Sequence, residues 1–240
     1  MRRPSFRDAL KMAALGALVL AMAIPPVYGQ TTGAGVAVVS VDDGAIMGAN
    51  GIDGMIPANL AGRLGFALLA HTWMEETQTD PNEALEGGDP GLTLAIALPR
   101  LLLEGRDGEM ARALVAARIG YTPANLNQAM AALMAEVGTA PRGVEVQRGA
   151  WGGPEWTGAI STRDTARLAV ALARVAPQAT DGVAAGAGLQ CMAGAVGTNG
   201  ARWISVVSGA LSPEGCIAAA RSSIDLTDTR VAEAIRPDKP

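Results

Sequence analysis

Cysteine, histidine and lysine are scarce among the 240 residues, at two, one and two. The lysines are Lys11 and Lys239, so none lies between Met12 and Asp238, and no serine lies between Ser40 and Ser161. A serine–lysine acyl transfer needs an amine one helical turn from a hydroxyl, and the body of the chain lacks the amine. Cys191, Cys216 and His71 are too few for a tetrahedral metal site, and no G-x-S-x-G elbow exists to pair with His71. The expectation is no metal and no cofactor. His71 lies in a helical run, where packing or surface exposure is its expected role. The charged cluster Glu104, Arg106 and Asp107 has the residue types for acid–base work. It fits better as a solvated helix start, where acidic side chains are favoured.

The elements that must hold these residues follow from pattern. Residues 35–42 are β-branched and read as a strand, Asp43-Gly44 as a turn and 45–49 as a second strand. Apolar spacing predicts a helix over 57–76, opened by Pro57 at its first position. A polar loop over 77–91 precedes a helix over 93–103, which Pro99 should kink or split. Further helices are expected over 107–119 and, behind Thr122 and Pro123, to 137. Residues 138–160 read as irregular. Ser161 and Asp164 resemble a capping box opening a helix to 175. Strands over 187–196 and 203–210 flank Asn199-Gly200, a hairpin signal. A helix from Ser212-Pro213 to about 226 follows.

Hairpin, helices, hairpin, helix is an α+β order, with the N- and C-terminal strands in one antiparallel sheet and a helical subdomain beside it. Reading Asn199-Gly200 as a two-residue loop sets Cys191 opposite Ser208, near the first turn of the last helix and Cys216. A disulfide and two buried free thiols fit that spacing equally.

Residues 1–29 have the organisation of a signal peptide: Arg2, Arg3, Arg7 and Lys11, an apolar run over 12–24, then Pro25-Pro26. Cleavage is expected before Gln30, leaving a flexible lead over 30–34, a domain over 35–227 and a tail over 228–240. Loss of four cations and Asp8 takes the net charge from −4 to −7. Such an acidic chain without a basic run is a poor binder of nucleic acid, and no second apolar stretch is long enough to span a membrane. Apolar residues make up 49% and aromatics 3% of the sequence, so the core must be aliphatic.

Across roughly 35–226 the chain resembles the penicillin-binding D-alanyl-D-alanine carboxypeptidases, the S11 serine peptidases of the β-lactamase-like superfamily. The likeness rests on the order of elements, on Pro57-Ala58-Asn59-Leu60 and Leu102-Leu103-Glu104-Gly105-Arg106-Asp107, on Ser161-Thr162-Arg163-Asp164, and on Asp181-Gly182-Val183-Ala184-Ala185-Gly186 before a hairpin and helix. The resemblance implies three catalytic motifs, and each departs here. Asn59 and Gly62 stand where the family has the serine and lysine of Ser-x-x-Lys. Glu104-Gly105-Arg106 stands for Ser-x-Asn, and Ala184-Ala185-Gly186 for Lys-Thr-Gly. The resemblance makes Arg106 the candidate for binding a carboxylate in the old cleft, in the role of the lost lysine. Shortened loops imply a shallow or filled cleft.

The resemblance therefore implies an exported, periplasmic protein whose acylation apparatus is gone, with peptidoglycan or a periplasmic protein as partner. Two other readings stand beside it: a hydrolase using different residues, and a scaffold with no ligand. Trp73, Trp151 and Trp156 would line a glycan surface or pack into the core.

Overall fold

The computed structural model describes residues 35–88, 91–140, 142–186, 190–209 and 212–235. The signal segment over 1–29 and the lead over 30–34 lie outside the described residues.

The chain enters as β1 (Gly35–Ser40) and returns as β2 (Ile46–Asn50). Gly44 holds φ at 76° in the turn, a value glycine adopts without strain. The Asp43 carboxylate accepts the Ala45 N–H at 3.0 Å and closes the turn locally. β1 also pairs with β8 (Arg202–Ser208), which pairs with β7 (Gln190–Val196) and then β6 (Val183–Ala185). The result is an antiparallel five-stranded sheet of order β2-β1-β8-β7-β6. The two ends of the domain thus meet in its centre, as the sequence predicts.

Six helices surround this sheet among the described residues: α1 (Asn59–Thr77), the short α2 (Leu94–Ala97), α3 (Gly105–Ile119), α4 (Pro123–Glu136), α5 (Thr162–Val175) and α6 (Pro213–Ile235). Pro99 has the predicted effect, since α2 passes into a 3₁₀ turn over Leu98–Leu102. The Thr122 and Ser161 hydroxyls accept the Asn125 and Asp164 N–H groups and cap α4 and α5.

Strand alternation sends side chains to two apolar layers. Val38, Cys191, Ala193, Trp203 and Val207 pack against Cys216, Ala220 and Ile224 of α6. Ala37, Val39, Met192, Ile204 and Val206 join the larger aliphatic core with α5 and α1. Cys191 and Cys216 are disulfide-bonded, with Cα atoms 5.8 Å apart. Across a 25-residue separation such a link stabilises by about 3 kcal/mol in the chain-entropy view.

Four expectations need correction. First, residues 138–160 are not irregular: β4 (Arg142–Arg148) and β5 (Pro154–Ser161) form a hairpin there. With β3 (Met55–Pro57) they build a second sheet of order β3-β5-β4, so the strands do not all lie in one sheet. Second, Pro57 ends β3 instead of opening α1, and its missing N–H is tolerated because β3 is an edge strand. Third, β7 and β8 are joined by a longer loop: Gly197 donates to the Ala201 carbonyl, and Cys191 lies opposite Val207, not Ser208. Gly200 has φ 83° while Asn199 does not enter the positive-φ region, so the loop is not the symmetric two-residue type. Fourth, α6 continues to Ile235, so the tail assigned from 228 is helical for most of its length.

Candidate functional site

α1 starts directly after β3, and the entry to its first turn is held from two sides. Ala58 donates to the Gly158 carbonyl of β5, and the Gln190 amide of β7 donates to the Pro57 carbonyl. Asn59, half-buried, is the first residue of the helix. One turn on, Gly62 is buried against β5. A Cβ built on Gly62 would overlap Cγ and Cδ2 of Trp156. Trp156 is 3% exposed and also packs on Phe66, ring centroids 6.0 Å apart.

The Trp156 ring therefore fills the space that a side chain at position 62 would need. Burying a tryptophan contributes roughly 4–6 kcal/mol of transfer free energy, comparable with the whole stability of many domains. A lysine at position 62 would have to displace that ring. Of the two roles the sequence offers Trp156, a glycan surface or the core, it takes the core.

The other motif positions converge nearby. Glu104 precedes α3 in extended conformation and makes no side-chain cap to its own helix. Its carboxylate reaches across to accept the Gly186 N–H at the end of β6. The same carboxylate lies 3.5 Å from Nη1 of Arg63. Arg63, on α1 next to Gly62, was missed by the sequence reading. Its side chain is 6% exposed and also meets Glu155 at 3.4 Å. Glu155 in turn binds Arg112 of α3, a fully buried arginine that donates to the carbonyls of Leu101, Leu103 and Pro154 at 2.8, 2.9 and 3.1 Å. Burial pushes the Arg112 guanidinium below its ordinary pKa, and Glu155 opposes the shift.

Asn59, Gly62, Glu104 and Gly186 thus border one charged constellation, and Ala185 is buried just behind it. Ala184 shows its half-buried side chain to the α6 layer. Arg106 goes elsewhere. It is exposed, with its guanidinium carbon 5.3 Å from the ring centroid of Trp151. Trp151 stands 54% exposed at the β4–β5 tip, where its backbone N–H donates to the buried Glu109. Trp73 is half-buried beneath Arg118. The three tryptophans therefore form no common surface.

Several polar atoms of this region lack partners. Among the described residues, the buried side-chain atoms without a hydrogen bond are Nε and Nη1 of Arg63, Nε1 of Trp156 and Oε1 of Gln190. Nη1 of Arg63 keeps its ion pair with Glu104 but lacks hydrogen-bond geometry. Hollows of about 200 Å³ and 300 Å³ lie elsewhere, the first beside Val41 and Trp203, the second beside Tyr121 and Arg148. His71 is buried, which lowers its pKa against the opposing charge of Glu75. No group of three or more potential ligands among the described residues is placed to hold a metal.

No family model and no curated protein matches the chain. Solved structures do. The peptidoglycan synthesis regulatory factor PBP3 of Streptococcus pneumoniae superposes with a TM-score of 0.63 at 16% identity, covering 83% of this chain and 80% of its own. Penicillin-binding protein 5 of Haemophilus influenzae gives 0.61 at 15%, with 83% and 72% covered. Penicillin-binding protein D2 of Listeria monocytogenes, solved with ampicillin bound, gives 0.61 at 15%, with 85% and 99% covered. The chain has the fold of the penicillin-binding D,D-peptidases. No helix among the described residues is long and apolar enough to cross a membrane.

Proposed function

We propose that this chain, built on the fold of the penicillin-binding D,D-peptidases, is a catalytically inactive relative that works by binding in peptidoglycan metabolism. The observation that carries the reading is the Trp156 ring packed on Gly62, where the resemblance implies the catalytic lysine. Asn59 on the preceding turn supplies an amide in place of a hydroxyl nucleophile. Acylation needs both a nucleophile and its base within hydrogen-bond reach, and neither residue type is present. The signal-like residues 1–29 support export to the periplasm, where the ligand is peptidoglycan or a periplasmic protein.

The test is fluorescent penicillin applied to purified protein beginning at Gln30, followed by mass spectrometry. No covalent adduct is expected, whereas an adduct at any residue would overturn the inactive reading. Co-sedimentation with isolated sacculi then separates binder from scaffold, and retention is expected. Arg106→Ala, beside the exposed Trp151, reports whether that rim contributes to retention.

A further inference from the structure

We propose that Arg63 and the Gly186 N–H form a carboxylate-binding site, and that the protein's own Glu104 occupies it as a displaceable internal ligand. The claim goes beyond the inactive reading and does not depend on it.

Charge is the first argument. Two buried arginines, Arg63 and Arg112, share one carboxylate, Glu155. One shared anion cannot neutralise both, and an uncompensated buried cation is costly. Glu109, the next acid along α3, interacts with Arg112 and is bound to the Trp151 N–H. The second charge on Arg63 comes from Glu104.

Geometry is the second argument. Glu104 stands directly before the first turn of α3 and makes no side-chain bond to that helix; its carboxylate crosses to an amide 82 positions along the chain. Its side chain is 39% exposed while that of Arg63 beneath it is 6% exposed. The internal carboxylate therefore sits at the mouth and the cation at the base.

The unmatched donors are the third argument. Nε and Nη1 of Arg63 are buried without hydrogen bonds even with Glu104 in place. Nη2 of Arg63 is already held by Glu155. An external carboxylate not tethered to the chain before α3 is free to make with Nη1 the charged hydrogen bond that Glu104, at 3.5 Å, does not make.

The experiment compares wild type with Glu104→Ala, titrated with N-acetylglycine (a peptide-like carboxylate) and with glucuronate (a sugar acid). N-acetylglycinamide and sodium chloride at matched ionic strength are the controls. Calorimetry should show saturable carboxylate binding that is roughly tenfold to a hundredfold tighter in Glu104→Ala, the discrimination expected of one charged hydrogen-bonded contact. Whichever acid binds names the source. Equal affinity in wild type and variant, or an equal response to the neutral amide or to chloride, would overturn the site. The Glu104→Ala/Arg63→Met double variant should lose binding, and retention by a double variant of native circular dichroism would also overturn it. The Gly186 amide resonance of Glu104→Ala is followed in the same titration, a readout that does not rest on the double variant. It must move with the carboxylate, and a fixed resonance counts against the site. A penicillin adduct would refute the inactive reading without touching this one, and failure here would leave the labelling result unchanged.

Discussion

Two buried polar clusters sit at opposite ends of the sheet layers, and they are finished differently. Behind the β7–β8 tip, Asp228 of α6 accepts the Thr198 N–H at 2.9 Å, the Thr198 hydroxyl at 2.8 Å and the Trp203 indole N–H at 3.2 Å. Gly197 has no Cβ to block this approach; one built there would overlap the carboxylate. Nearby, Ser205 and Ser223 share a hydrogen bond of 2.7 Å. At the start of α1, by contrast, Arg63, Trp156 and Gln190 are each more than nine-tenths buried and each retains unmatched polar atoms. Native interiors leave few such atoms. Packing alone accounts for the first cluster. It does not account for the second, which borders the positions where the fold's relatives, by resemblance, carry their chemistry.

The largest expected effect comes from two arginines in one network. Arg112 donates to three backbone carbonyls and to Glu155. Arg112→Met should cost about 3–5 kcal/mol, because it strands three buried carbonyls at about 1–3 kcal/mol each, even though Glu155 keeps Arg63. Arg63→Met should cost under about 1 kcal/mol, since Glu155 keeps Arg112, Glu104 keeps Gly186, and two unmatched N–H groups disappear. Urea unfolding of both variants checks this. Equal costs would mean that Arg63 is as fully partnered as Arg112, and the contrast between finished and unfinished clusters would fail.

The sequence shows the finished parts better than the unfinished ones, for physical reasons. Asp43-Gly44, Thr122 and Ser161 act over three or four residues, so their turns and caps can be read locally. The β4–β5 hairpin is masked because Gly149, Gly152 and Gly153 and the scattered Val144, Val146 and Trp156 break the alternation into pieces. The extra turns of α6 had a usable signal. Cys216, Ala220, Ile224 and Val231 recur at helical spacing, and all four pack on one layer. Arg63 and Arg112 had none. An arginine amid helix-forming residues reads as a solvated face, and only the meeting of α1, α3 and β5 buries it. The motif positions Asn59, Glu104 and Gly186 were reached by resemblance, but the arginine paired with Glu104 was not.

A smaller effect isolates the hydrogen bond itself. Trp203→Phe and Trp156→Phe remove the same atoms from sites that are both 3% exposed, so the cavity terms are similar. Trp203 also loses its bond to Asp228, while Trp156 loses an N–H with no partner. The first variant should be less stable than the second by about 1 kcal/mol. If the two unfold together, the Trp156 N–H is satisfied after all and the clusters differ less than their geometry implies.

The smallest effect is a change of slope with pH. The Thr198 N–H, then the Thr198 hydroxyl and the Trp203 indole, hold the Asp228 carboxyl below its ordinary pKa. A folded pKa below the unfolded one gives stability that is complete above the unfolded value of about 3.9. That stability is lost as pH falls through the folded value. Asp43 and Asp53 are shifted the same way and share this acid window. His71, lowered by burial, acts earlier, since the unfolded chain takes up its proton first as pH drops below about 6.5. The informative quantity is therefore the difference in urea midpoint between wild type and Asp228→Asn, followed downward from about pH 5, where the histidine contribution is common to both. The wild-type advantage should shrink toward zero as the carboxyl protonates and becomes, like the amide, a neutral group. Curves that stay parallel through the acid range would mean that the charge of Asp228 adds nothing to the cluster, and that its fully matched donors hold the β7–β8 tip by shape alone.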